Sequence, residues 1–136
     1  MLDTLVESAV RLCEADNGHI ARPGSGGSFW SQASFGFSKE LKEEIERVQF
    51  HPGPDSCMGR ALLERAPVQI LDAQTDPSYK LSTAQKLGGY RTVLGAPLLR
   101  GGEPIGVFAL ARHSEAVYRA ADCAGHELRR SGRDRN

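Results

Sequence analysis

Two apolar runs, Thr92 to Leu99 and Ile105 to Arg112, are joined by Arg100-Gly101-Gly102-Glu103-Pro104, and this pairing constrains the chain more than any other feature. A Gly-Gly pair between two such runs is a strong β-hairpin signal, because both glycines tolerate the positive φ that a tight turn needs. Continuous apolar runs of this kind are expected as the two central strands of a sheet.

The residues upstream supply the layers around that hairpin. Leu2, Leu5, Val6, Ala9, Val10, Leu12 and Cys13 recur at three- and four-residue steps, which predicts an amphipathic helix that stops before Asn17-Gly18. His19 to Arg22 and Ser28 to Phe35 flank Pro-Gly-Ser-Gly-Gly and read as a hairpin, with Phe29, Ala33 and Phe35 on one face and Trp30 opposite. Ser38 is placed to cap a second helix with Leu41, Ile45 and Val48 inward and a Glu43–Arg47 pair outside. Asp55 or Ser56 caps a third, with Leu62 and Leu63 inward; after Pro67 comes a strand through Val68, Ile70 and Leu71. Asp72 to Gly89 is a polar, lid-length loop containing Asp76-Pro77, Tyr79 and a capping-box pattern at Ser82 and Gln85. The order of elements predicts an α+β class, an α/β sandwich with a central antiparallel sheet of five to six strands and helices packed on it.

Composition narrows the function classes. Lys plus Arg and Asp plus Glu are 17 each, so no overall field favours nucleic acid or an anionic membrane as partner. No run reaches the roughly 20 apolar residues of a membrane span, and Met1 to Ser8 lacks a secretory pattern, so a cytoplasmic location is expected. Cys13, Cys57 and Cys123 are widely spaced with no C-x-x-C pair, and His19, His51 and His113 are scattered; neither a disulfide framework nor a metal site is expected.

Pro52 to Tyr79 and Gly89 to Arg112 together resemble the GAF family, and among its members the modules upstream of bacterial histidine kinases and nucleotide cyclases. The likeness runs from about Leu2 to about Arg112, giving a GAF domain over 1–113. It implies detection of an unidentified small molecule, without a cofactor, and a homodimer. The region where the family keeps its ligand pocket corresponds to Tyr79, Tyr90, Arg91 and Thr92, and Ser56 and Cys57, next to Asp55, open the third helix, where free N–H groups and the helix dipole suit a ligand's carboxylate or phosphate, with plain capping as the alternative; no catalytic residue is expected among them. Motifs for bilin attachment and cyclic-nucleotide binding are not found here. A ligand-free dimerisation module is the alternative reading. A more remote one is the family's free methionine sulfoxide reductase branch, in which Cys57, at a helix N-terminus where a thiol pKa can fall, would be the nucleophile. The branch's further cysteine before the central strand is missing from Gln85 to Thr92, which places this chain outside enzymes.

From Ser114 the chain departs from the family, whose members end in a long helix. Residues 114–136 hold five arginines and no Ile, Phe, Met or Trp, too little apolar surface to pack as that helix. Back-translated with synonymous codons and read from two nucleotides upstream of Val117, the segment gives PFTARQIALVTNFADQAVIAI, an apolar-periodic peptide similar to the missing helix. A truncated family C-terminus produced by a reading-frame slip is therefore the expectation.

Overall fold

The computed structural model describes residues 2–113, so the reading of 114–136 as a frame-shifted tail lies outside the described residues. The elements are α1 (Leu2–Leu12), β1 (Asn17–Pro23), β2 (Phe29–Phe35), α2 (Lys39–Glu46), α3 (Cys57–Glu64), β3 (Val68–Ile70), α4 (Ser82–Gly88), β4 (Thr92–Arg100) and β5 (Glu103–Arg112), with a short 3₁₀ turn at Ser25–Gly27. The five strands form one sheet in the order β2-β1-β5-β4-β3. Every neighbouring pair is antiparallel. The α+β expectation holds, and the predicted hairpin becomes β4 and β5, both interior strands with β5 at the centre.

Strand alternation sends successive β5 side chains to opposite faces and so divides the core in two. Phe108 and Leu110 join Ile20, Leu94 and Ala96 under Val6, Ala9 and Val10 of α1. Val107, Ala109 and Ala111 point the other way, toward Leu41 and Ile45 of α2 and Met58, Ala61 and Leu62 of α3. Each large apolar side chain buried in either layer contributes roughly 1.5–3 kcal/mol. No helix among the described residues is long and apolar enough to cross a membrane.

Several local expectations are corrected. Phe29 does not share a face with Ala33 and Phe35: it packs in the α2–α3 layer, and they pack in the α1 layer. The cause is a bulge, since Ile20 pairs with Ala33 while Ala21 pairs with Ser31, and the unmatched Gln32 reverses the side-chain alternation. Arg47 bonds Glu44 at 3.2 Å instead of Glu43. Its backbone N–H already turns back to the Glu44 carbonyl, which tightens the last turn and brings residue i−3 under it. Leu62 is buried at 2% exposure, whereas Leu63, about 100° further round α3, is 59% exposed. Leu71 falls just beyond β3 and is exposed. Ser82 does not form a capping box: Leu81 occupies the cap position with no side-chain bond, and Gln85 Nε2 donates instead to the Tyr90 carbonyl at 2.7 Å. Ser38 and Ser56 do cap, accepting from the N–H groups of Leu41 at 3.1 Å and Gly59 at 3.0 Å.

The rotation of α3 is testable. Leu62→Ala should lower unfolding free energy by about 2–5 kcal/mol, and Leu63→Ala by no more than about 0.5 kcal/mol. Urea melts giving equal losses would show that α3 is turned differently on the sheet.

Candidate functional site

The α2–α3 side of the sheet holds a partly open cavity of about 30 Å³. A water needs some 10–15 Å³ of such space, so one or two waters would fit. Its floor is Val93 of β4 with Ala109 and Ala111 of β5. The two alanines leave room that a larger residue would fill. Asn17 and His19 of β1 close one side, Leu41 and Ile45 of α2 another, and Ser56, Cys57 and Met58 at the start of α3 a third. Tyr79, Leu81 and Tyr90 come from the segment that precedes β4.

Residues 72–89 of that segment are the loop expected as a lid, and polar contacts pin it. Arg60 of α3 donates to both carboxylate oxygens of Asp76, at 2.7 and 3.1 Å. The Lys80 N–H donates to the Asp55 carbonyl at 2.8 Å. The Tyr79 and Tyr90 hydroxyls share a hydrogen bond, with their rings edge to face at 6.3 Å. Asp72 is held by the Arg91 guanidinium, which fixes the start of the lid to the start of β4.

Among the described residues no Asp, Glu, Lys or Arg lines the cavity, and the titratable groups that do are held neutral. Burial lowers His19 to about 3 and pushes the Cys57 thiol up to about 12. Burial likewise raises Tyr90 to about 12, and burial followed by the neighbouring Tyr90 raises Tyr79 well above the usual tyrosine range. Outside the lining, the Arg60 bond holds the Asp76 carboxyl below its ordinary value, so this pair stays ionised.

Four of the six residues expected at the site, Ser56, Cys57, Tyr79 and Tyr90, come together on the cavity. Arg91 and Thr92 do not line it. Arg91 is drawn to Asp72. Thr92 alternates with Val93 onto the other side of β4, where its hydroxyl donates to the Leu71 carbonyl at 2.9 Å. Cys57 is not an activated thiol. Desolvation outweighs the helix N-terminus, and the S–H faces the carbonyls of Val68 at 3.4 Å and Val93 at 3.6 Å. Among the described residues there is no His/Cys/Asp/Glu cluster able to hold a metal ion.

Asn17 and His19 were not singled out from the sequence. Asn17 is 3% exposed and His19 6%. His19 Nδ1 lies 3.1 Å from Ser31 Oγ, and its ring packs near Phe37 and Phe50. The second ring nitrogen of His19 and the Asn17 carboxamide have no side-chain hydrogen bond among the described residues. A buried polar group left unpaired costs about 1–3 kcal/mol, so two on adjacent inward positions of one strand are an exception that calls for a reason. The available signal was the spacing: polar residues at 17 and 19 alternate on a strand that continues as Ile20-Ala21.

His19 sets a pH dependence. The unfolded chain takes up a proton at this residue below about pH 6.5, while the folded chain stays neutral there down to about 3. Its contribution is therefore complete above pH 6.5 and is lost as pH falls through that window. Between pH 7 and 5 the wild type should lose roughly 2 kcal/mol more than His19→Asn. Urea melts at the two pH values check this, and equal losses would mean that His19 is protonated in the folded state.

Among solved structures, the GAF domain of a phosphoenolpyruvate-protein phosphotransferase from Coxiella burnetii superimposes with a TM-score of 0.72, at 18% identity, over 96% of this chain and 83% of that one. A domain described as part of a two-component sensor histidine kinase protein from Sinorhizobium meliloti gives 0.69 at 14% identity, covering 89% and 76%. Type II free methionine-R-sulfoxide reductase from Thermoplasma acidophilum gives 0.69 at 18% identity, covering 89% and 78%. At these identities the likeness is one of fold. No curated protein is significantly similar in sequence. The sequence model described as the GAF domain matches residues 1–124, which takes in the whole sheet and continues past Ser114. The chain belongs to the GAF domain family.

Proposed function

We propose that the chain is a small-molecule sensing domain of a bacterial signal-transduction protein, cytoplasmic and non-catalytic, acting as a homodimer. The observation that carries this reading is the cavity itself: it lies under the 72–89 loop and is lined by Asn17, whose carboxamide has no side-chain bond among the described residues, and by His19 and Ser56, each with one hydrogen-bonding group left over there. Likeness in fold to a sensor histidine kinase domain supports the signalling context. A ligand seated there would touch Tyr79 and Tyr90, and would bias the chain toward whichever lid position it binds better. Exposed Leu5 and Leu12 on α1, with Leu99 and Ile105 at the far end of the hairpin, support self-association as well.

The reductase alternative finds no support at Cys57, whose thiol is held neutral and engaged with two carbonyls. The proposal includes the reading-frame slip after Ser114. Codons across Val117 to Asn136 that cannot encode the alternative peptide would remove that part and leave the rest standing.

Native mass spectrometry of the purified chain tests the main reading. A noncovalent small molecule should accompany the wild type and be released on denaturation. Ala109→Leu, which fills the floor, should carry at least tenfold less while its melting temperature stays within a few degrees. A wild type that carries nothing, or a filled variant that carries as much, would leave the dimerisation module as the better description.

A further inference from the structure

Asn17 and His19 sit two residues apart on β1, which places their Cα atoms about 6.8 Å apart on the same face. Both are more than nine-tenths buried, and both line the cavity. The carboxamide offers one acceptor and two donors, and the free histidine nitrogen adds one further group whose role follows from the tautomer. Across the cavity, the Ser56 oxygen accepts from Gly59 while its O–H proton has no acceptor among the described residues. Of the two tyrosine hydroxyls that share one bond, one proton is likewise left over. The polar inventory is thus a carboxamide facing hydroxyl donors, set among Phe37, Phe50, Leu41 and Met58.

We infer that this cavity selects an uncharged molecule bearing an amide-like donor and acceptor pair on an apolar body, and that Asn17 is the residue that reads that pair. The inference rests on the sensing proposal above and narrows its ligand. Among the described residues an anion would find no cationic side chain in the cavity lining, and Arg60 nearby is occupied on both sides of its fork by Asp76. Desolvating a carboxylate there is offset by no side-chain charge among the described residues, only by the partial positive end of α3 at Ser56 to Met58, whereas a neutral amide of the same shape exchanges its hydrogen bonds with water for those of Asn17 and Ser56. A cavity with room for one or two waters admits such a molecule only if the lid yields. Binding and lid position are then one event.

Matched probes at equal concentration separate charge from shape: acetamide against acetate, benzamide against benzoate, and nicotinamide against nicotinate, followed by amide NMR shifts of the full chain. The amides should move the signals of Asn17, His19 and Tyr90 and bind at least tenfold more tightly than their carboxylates. Asn17→Leu should abolish that preference while keeping or raising the melting temperature, because an unpaired buried carboxamide is replaced by apolar atoms. Asn17→Ala, which adds no bulk, should lose the same preference. Carboxylates that bind as well as amides, or variants that keep the preference, would overturn the inference and leave the sensing reading intact. If no probe of either charge moves those signals, the inference falls, and the native mass spectrum of the wild type decides the sensing reading separately.

Discussion

The register of β5 between β1 and β4 is the constraint on which the site depends. Asn17 pairs with Ala111, which pairs with Val93. His19 pairs with Ala109, which pairs with Gly95. Each polar side chain of β1 therefore lies beside an alanine, and the rows run on through Val93 to Ile70 and through Gly95 to Val68 on β3. A one-residue slip would bring Phe108 and Leu110 to this face and fill the cavity, since strand periodicity moves every side chain to the other side. Gly95 has a second part in this arrangement. A Cβ there would come within 2.9 Å of the Cys57 carbonyl oxygen and 3.0 Å of its sulfur, so only glycine lets the start of α3 rest directly on β4. With α3 seated at that depth, Ser56 and Met58 reach the cavity and Arg60 reaches the lid.

The two faces of the same sheet have different tasks. Under α1, large residues interlock, and at Gly18 a Cβ would lie 2.7 Å from Leu110 Cδ2, which marks close packing with little room to move. Under the lid, small residues and unpaired polar groups occupy the equivalent layer. Between Asp72 and Ser78 the lid is polar apart from Ala73 and Pro77 and is held by a few polar contacts, while Ala73, Tyr79, Leu81 and Ala84 pack against the α2–α3 core. The Arg60–Asp76 pair is partly shielded, with side-chain exposures of 18% and 22%, so it outweighs the surface pairs of α1 and α2 without being a deeply buried one.

The sequence was most readable where one local rule decided the outcome. The Gly101-Gly102 hairpin, the Ser38 and Ser56 caps and the α1 helix are each set by residues within a few positions and each appeared as expected, except that Leu5 and Leu12 of the α1 stripe are exposed. Failures came where a distant partner intervened. Gln85 forgoes the capping box because the Tyr90 carbonyl is in reach, and Arg91 is captured by Asp72, nineteen positions away. Phe29 changes face because the bulge at Gln32 appears only once β2 is paired with β1. Asn17 looked like a helix stop, and it precedes β1's apolar residues; that it faces inward is decided by its pairing with Ala111, which periodicity in so short a stretch does not reveal.

Unpaired buried groups also explain how such a pocket could act on the rest of the chain. A cavity lined entirely by satisfied groups would gain little from occupancy, and the lid would have no reason to respond. Here the resting state carries the desolvation cost of Asn17 and of one His19 nitrogen, and both lie within the same enclosure as the Tyr79–Tyr90 contact. Any molecule that satisfies them stabilises the folded chain by mass action, to an extent that grows with its concentration over its Kd. The same molecule must also make room beneath Tyr79. Stabilisation is thereby tied to a displaced or tightened lid, because the polar groups that favour occupancy and the hydroxyl pair that closes the segment share one cavity.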